Sequence, residues 1–428
     1  MDQKTYTWEF FCKSLTPGLR RKIESVISSG ISLCLVGGAS RQWIQNQTLP
    51  FDLDFEMRPE GNKKVSDLLF EIFGNVRPMP FHVFIIEMTD MGHVFQLEFS
   101  LPRKEIYGAT TPAQGFGHSD FDVQVDPKMT YDQSFKRRDF SLNAVGLELK
   151  LGPSGLMLIV QDPYHGVEDL AAKVLRPISD DFYKDPVRFL RMIRFQISLG
   201  LALDPTLMQN LGKFNLQSMT LHYVLKEAFK TDFLAFMKLF FQYIHVSKLN
   251  LPNFLQNLQC LNLLSPTAVP PPRNPLELAV AIAESPESER RKILEQVGKN
   301  FEEQLGLKGK TIQKLILAKK SEEVIIKLQQ RDSSLQKKLS DDEFFQHPLV
   351  RELALVLKGH TRYPDIFEAR WTFLKKDGHE LQVIKQLSLC MAGIELPTDC
   401  VDKVADRDLR KLMLALRALG LFPRIAGL

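Results

Sequence analysis

Apolar and polar positions follow different periods in the two parts of the chain. Ile31–Val36 is a short apolar run ending in Gly37-Gly38, which predicts a buried strand and a tight turn. Ala39–Gln47 then has the composition of a short helix. Phe51–Met57 alternates strictly, with Phe51, Leu53, Phe55 and Met57 on one face and Asp52, Asp54 and Glu56 on the other. That alternation predicts a half-buried strand. Phe81–Ile86 and His93–Phe99 read as further strands, and Phe140–Leu149 as a strand or a helix-to-strand junction. Arg103–Asp120 is rich in Gly, Pro, Thr and Ser and reads as a loop.

From about Asp180 the apolar positions recur at helical spacing. Asp181–Ile197 and Leu221–Tyr243 read as helices, with Asp204-Pro205 between them as a turn or helix start. The prolines of Ser265–Pro275 exclude a helix interior there, so the segment reads as a linker. Ser285-Pro286 has the form of an N-cap and first-turn proline, opening a charged helical stretch that runs to Leu339. Asp341–Leu428 reads as further helices. The predicted class is α+β, a mixed-sheet head followed by a helical remainder.

Composition changes this picture little. With 44% hydrophobic and 25% charged residues the chain has a globular balance, which argues against disorder or a rod. No apolar run approaches the ~18–20 residues of a membrane span, so no membrane partner is expected. Met1-Asp2-Gln3-Lys4 does not open a secretory leader, and the five scattered cysteines form no CxxC pair. A reducing, cytoplasmic setting is the expectation. A net charge of +4 permits a nucleic-acid partner without requiring one.

The chemistry is carried by motifs. Gly37-Gly38-Ala39-Ser40-Arg41 precedes Asp52-Leu53-Asp54. Two carboxylates at i and i+2 on a strand project from one face, ~6–7 Å apart at Cα. They repel unless a cation lies between them, and Mg²⁺ takes carboxylates while keeping water and phosphate ligands. A Gly-Gly turn opening a helix, with Arg41 beside it, suits a phosphate. Glu98, alternating with Phe95, Leu97 and Phe99, is the candidate third acid for two-metal phosphoryl chemistry. Lys136-Arg137-Arg138-Asp139-Phe140-Ser141-Leu142-Asn143 combines cations with an acid that can brace them. Asp185-Pro186 reads as an N-cap with a first-turn proline. Asp185, Arg188, Arg191 and Arg194 then recur every third residue as a slowly drifting polar stripe. Each motif alone is ordinary on a solvated surface; the ordered combination is specific.

The set GGASR…DLD, KRRDFSLNA, DPYHGVEDLAAKVLR and DPVRFLRMIRF resembles the class II tRNA nucleotidyltransferase/poly(A) polymerase family across Leu33–Gly200. The resemblance implies a polymerase-beta-like nucleotidyltransferase head at 1–150 and a nucleotide-selecting neck at 151–215. A helical body at 216–340 and a tRNA-binding tail at 341–428 would follow. It implies that Asp52 and Asp54 hold Mg²⁺; Glu98, read from its own strand, is the catalytic candidate beside them. Gly37, Gly38, Arg41, Arg138, Asp139 and Asn143 would serve the nucleotide, and Asp185, Arg188, Arg191 and Arg194 would select it. The chain departs from the family at Gln42 and Lys184, where acids are usual. No HxxxHD arrangement occurs, so the phosphohydrolase domain of some bacterial members is not expected.

The implied reaction is addition of CMP and AMP to the tRNA 3′ end from CTP and ATP. Cytosine and adenine each offer an exocyclic amine beside a ring acceptor, which a carboxylate and a donor-only arginine can read together. Poly(A) synthesis and partial CC- or A-addition are the alternatives within the family. A non-catalytic RNA-binding protein is the alternative outside it. The loop read at Arg103–Asp120 favours complete CCA addition, because such enzymes carry a flexible loop there. Lys308, Lys310, Lys314, Lys319 and Lys320 are a candidate RNA-backbone surface.

Overall fold

The alternating Phe51–Met57 segment becomes the middle strand of a mixed sheet in the computed structural model. The structure describes residues 7–330 except 61–63, 109, 111, 153–154, 265–269, 299 and 308–309, and beyond 330 chiefly 364–374. The chain divides into two compact units, Met1–Glu227 with Leu239–Pro252, and Ala228–Lys238 with Asn253–Leu428.

The first unit holds strands β1 (Ile31–Val36), β2 (Asp52–Pro59), β3 (Arg77–Met79), β4 (Val83–Asp90), β5 (His93–Ser100), β6 (Arg103–Tyr107), β7 (Phe121–Val125), β8 (Gly146–Gly152) and β9 (Gly155–Gln161). Its helices include α1 (Trp8–Cys12), α2 (Pro17–Ser28), α3 (Gly37–Asn46), α4 (Val65–Phe73), α5 (Tyr131–Phe135), α6 (Gly166–Ala172) and α7 (Pro186–Leu199). The main sheet runs β3-β4-β5-β2-β1-β8-β9, and β6 pairs with β7 separately. β2 is antiparallel to β1 and parallel to β5. The β4–β5 hairpin turns at Met91-Gly92, both at positive φ, which matches a two-residue turn of the primed kind.

One face of the sheet is apolar. Leu33, Leu35, Leu53, Phe55, Met57, Leu97 and Phe99 pack there with Phe11, Ile23, Trp43 and Leu69 from the first four helices. Burying each such side chain contributes roughly 1.5–3 kcal/mol, so this face anchors the unit. The polar positions of the same strands therefore point the other way, and that face carries the candidate site.

Several expectations shift. The sheet continues past residue 150, because Gly155–Gln161 forms the edge strand β9 inside the segment expected to be a helical neck. A short parallel pair, β10 (Val174–Leu175) and β11 (Ala202–Leu203), also lies there. The helix expected at Ala39 already begins at Gly37. Phe51 is exposed instead of buried, and Glu56 is fully buried, donated to by Arg58 and Ser134. The Asp181–Ile197 pattern splits into a 3-10 turn at Asp180–Lys184 and then α7. There Asp185 accepts from the Val187 N–H as N-cap, and Pro186 occupies the first position. Asp204 caps α8 (Pro205–Gln209) as expected.

Leu221–Tyr243 is two helices, α9 (Leu221–Ala228) and α10 (Phe233–Val246), because Asp232 accepts from the Ala235 N–H and restarts the helix. The second unit continues through α11 (Asn253–Gln256), α12 (Pro275–Glu284), α13 (Glu287–Val297), α14 (Phe301–Gln304), α15 (Thr311–Gln330) and α16 (Pro364–Leu374). Ser285 ends α12, and Pro286, one residue later than expected, caps α13. Glu284 accepts from the buried Arg370 at 2.6 Å, and Lys319 lies 3.8 Å from the same carboxylate. Lys319 Nζ also donates to the Glu284 carbonyl at 2.9 Å, so this lysine takes part in packing α15 against α12. Lys308 and most of 341–428 lie outside the described residues. No helix among the described residues is long and apolar enough to cross a membrane.

Candidate active site

β2 sets the first part of the site. Asp54 pairs in register with Val36 of β1 on one side and Glu98 of β5 on the other, and Asp52 lies two residues before it. Adjacent strands are about 4.8 Å apart, so Asp54 and Glu98 are immediate neighbours. Burial raises the Asp54 carboxyl to about 6, and the Glu98 and Asp52 charges add to the rise against Arg138 and Arg137. A divalent cation would favour the ionised form of this carboxyl. Among the described residues no three acid, imidazole or thiol side chains gather into a cage of protein ligands. Two neighbouring carboxylates are the hard oxygen donors that Mg²⁺ takes beside water and phosphate, so the residue types fit that ion.

A raised carboxyl destabilises the fold when it ionises. The stability held with Asp54 protonated is fully present below pH 3.8 and is lost as pH rises through about 6. Asp54→Asn is therefore expected to stabilise the metal-free protein at pH 8 by on the order of 2 kcal/mol and to have little effect at pH 4. Denaturant unfolding at the two pH values checks this; equal effects at both would contradict it.

The start of α3 stands beside these carboxylates. Gly37 has φ +74, and a Cβ there would lie 3.4 Å from Asp54 Oδ2 and 3.7 Å from Arg138 Nη1. Glycine is favoured at 37 by its positive φ, since a Cβ there would make only ordinary contacts. A Cβ on Gly38 would meet only Arg41, at 4.0 Å, so sterics do not demand glycine there. Ser40 Oγ donates to the Val145 carbonyl at 2.7 Å and ties the helix to the segment before β8. Burial pushes the guanidinium groups of Arg41 and Arg138 each down to about 10. Arg138 Nε has no hydrogen-bond partner among the described residues. Buried cations with incomplete compensation suit an anionic ligand.

The motifs are joined by hydrogen bonds. Arg41 Nη1 donates to Asn143 Oδ1, and Asn143 Nδ2 donates to Asp139 Oδ1 at 2.9 Å. Arg191 Nε donates to Asp139 Oδ2 at 2.6 Å. Burial opposes the Asp139 charge, but Arg191, Asn143 and Arg188 outweigh it and hold the carboxyl at about 2. Arg194 Nε lies 2.6 Å from Glu227. Removing Asp139 would strand these donors, so Asp139→Ala is expected to cost about 3–5 kcal/mol of stability. A change below about 1 kcal/mol in denaturant unfolding would break this account of the network.

The stripe on α7 is not a solvated face. Asp185 and Arg188 are 4% and 5% exposed. α7 also buries Val187, Phe189, Leu190, Met192 and Ile193, so its polar side chains need partners. Asp185 is approached by His118 Nδ1 at 2.9 Å. Arg188 Nη2 donates to Glu105 at 3.2 Å and to the Arg137 carbonyl at 2.7 Å. A cleft of about 360 Å³ opens beside Arg188, lined among others by Lys104, Glu105, Lys136 and Arg137.

Glu105 and His118 were missed because Arg103–Asp120 read as a loop throughout. Its first part is β6, paired with β7 in the register Glu105↔Val123. Arg103, Glu105 and Tyr107 are its partly covered positions, whereas Lys104 and Ile106 are exposed. Covered and exposed positions each mix polar with apolar side chains, so the sequence carries no period-two signal for this strand.

Comparison with known proteins gives partial sequence matches and a shared fold. The "Multifunctional CCA protein" of Methylobacillus flagellatus is 46% identical over 81 residues, covering 19% of this chain and 18% of that protein. Those of Shewanella frigidimarina and Xylella fastidiosa are 30% identical over 182 residues and 34% over 166. These alignments cover 42% and 39% of this chain, and 38% and 34% of the respective relatives. The chain thus spans less than two-fifths of the length of these curated relatives. The structure of a CCA-adding enzyme in an apo form shares the fold with a TM-score of 0.50 at 16% identity, covering 96% of this chain and 98% of that one. The complex of a CCA-adding enzyme with ATP gives 0.50 at 15% identity, with the same coverage. No family model matches the chain.

Proposed function

We propose that the chain is a nucleotidyltransferase that adds CMP and AMP to the 3′ end of tRNA from CTP and ATP, releasing pyrophosphate. The observation that carries this reading is the bonded chain Arg41–Asn143–Asp139–Arg191, which joins three separate motifs, with Gly37 and Arg138 of two of them lying close to Asp54. Asp52 and Asp54 would hold Mg²⁺, which when bound supplies charge to activate the attacking hydroxyl and stabilise the departing pyrophosphate. The raised Asp54 carboxyl and the two-carboxylate face support that assignment.

In this reading Gly37, Gly38 and the first turn of α3 present backbone to the triphosphate, and Arg41 and Arg138 bring buried positive charge to it. Asp139 and Asn143 keep the cations oriented. Glu98 supplies a carboxylate beside the acceptor hydroxyl that can take its proton. Asp185 accepts from the exocyclic amine of cytosine or adenine, and Arg188 donates to the ring nitrogen. Uracil and guanine present the reverse pattern, which leaves buried groups unpaired at about 1–3 kcal/mol each. Arg191 and Arg194, held by Asp139 and Glu227, brace the helix that carries this pair. A head, neck, body and tail remain the proposed functional division, with the head extended through β9 to Gln161 and tRNA contacted by the tail.

Pyrophosphate release tests the proposal. It should require Mg²⁺, CTP and tRNA lacking its terminal CCA, and should be absent with tRNA that already ends in CCA. Release that is indifferent to the RNA end would overturn it.

A further inference from the structure

Arg188 is placed by groups outside its own helix. Its Nη2 donates to Glu105 Oε2 at 3.2 Å and to the Arg137 carbonyl at 2.7 Å, and its Nε lies 3.6 Å from Asp185 Oδ2. Among the described residues its buried Nη1 has no hydrogen-bond partner. A guanidinium is a rigid plane, so two acceptors at Nη2, with the Asp185 charge near Nε, set the direction in which Nη1 points. The neighbour Lys184 contributes no negative charge. Its Nζ lies 2.7 Å from Asp181 and 5.1 Å from the centre of the Tyr107 ring. Asp185 is already engaged by the Val187 N–H and His118.

Glu105 is itself an unusual choice for its strand. Its side chain is 11% exposed, with Oε1 lying 3.9 Å from Arg137 Nη1. A buried ion pair does little for stability that an apolar side chain would not do as well. Its consequence here is orientation, because one carboxylate spans an arginine of the KRRD segment and the arginine of α7.

We infer that Glu105 is a positioning residue for nucleobase selection: it sets the plane of Arg188 so that the open Nη1 faces the incoming base. The inference rests on the proposed nucleotide transfer. Glu105 acts through Arg188 and does not itself touch the base.

The test compares Glu105→Gln and Glu105→Leu with the wild type and with Ile106→Thr, which alters the exposed face of the same strand. The readout is the ratio of kcat/KM for CTP to that for UTP on tRNA lacking CCA. Both Glu105 variants should lower the ratio by about tenfold or more, chiefly through a higher KM for CTP. Ile106→Thr should stay within about twofold of wild type. Where a variant turns over too slowly, equilibrium dialysis of CTP and UTP gives the same ratio as binding constants. Glu105 ratios within about twofold of wild type, or an equal fall in Ile106→Thr, would overturn the inference. Wild-type protein that adds no nucleotide would instead overturn the proposed function, so the two failures are distinct.

Discussion

Asp54→Ala is expected to abolish nucleotide transfer, lowering turnover by at least about 10³-fold, and Asp52→Ala to do the same. The fold should survive, because removing a carboxylate from the Asp52–Asp54–Glu98 group relieves repulsion. Burial, with the charges of Glu98 and Asp52 added, raises the Asp54 carboxyl to about 6. Single-turnover addition of labelled CMP, read beside a thermal melt, separates chemistry from folding. Turnover near wild type in either variant would remove the carboxylates from the reaction.

The second large effect falls on selectivity. Arg188→Ala should raise misincorporation of UTP or GTP about 10- to 100-fold relative to CTP and ATP, and raise KM for the correct nucleotides. Asp185→Ala should act in the same direction by removing the acceptor for the exocyclic amine. Both residues are buried and joined to partners on other elements, so some loss of stability accompanies each change. Discrimination at the wild-type level with only the rate reduced would make the α7 arginines a phosphate clamp or a structural ion-pair set.

The sheet was legible where a strand has one apolar and one polar face. β1, β2 and β5 follow from Ile31–Val36, Phe51–Met57 and His93–Phe99 to within two residues at either end. Glu56 was not legible, because the alternation places it with Asp52 and Asp54 on the polar face. Only the tertiary contacts with Arg58 and Ser134 show that this part of the face is covered. β6 was hidden because its covered positions, Arg103, Glu105 and Tyr107, and its exposed ones, Lys104 and Ile106, each mix polar with apolar side chains. The candidate residues were legible as types and in order along the chain. Their pairings were not, because Arg188 meets Glu105 across 83 positions and Arg191 meets Asp139 across 52. A period of three along α7 says which side chains share a side of the helix. It carries no information about the acids that other elements bring to meet them.

The most direct test of the account is the product made on tRNA that stops just before its CCA end, resolved at single-nucleotide length. With Mg²⁺ and CTP alone the account predicts extension by CC; with ATP alone, no extension; with both, a product that ends in CCA and grows no further. An open-ended run of A with ATP alone, or no extension under any of these conditions, would contradict it.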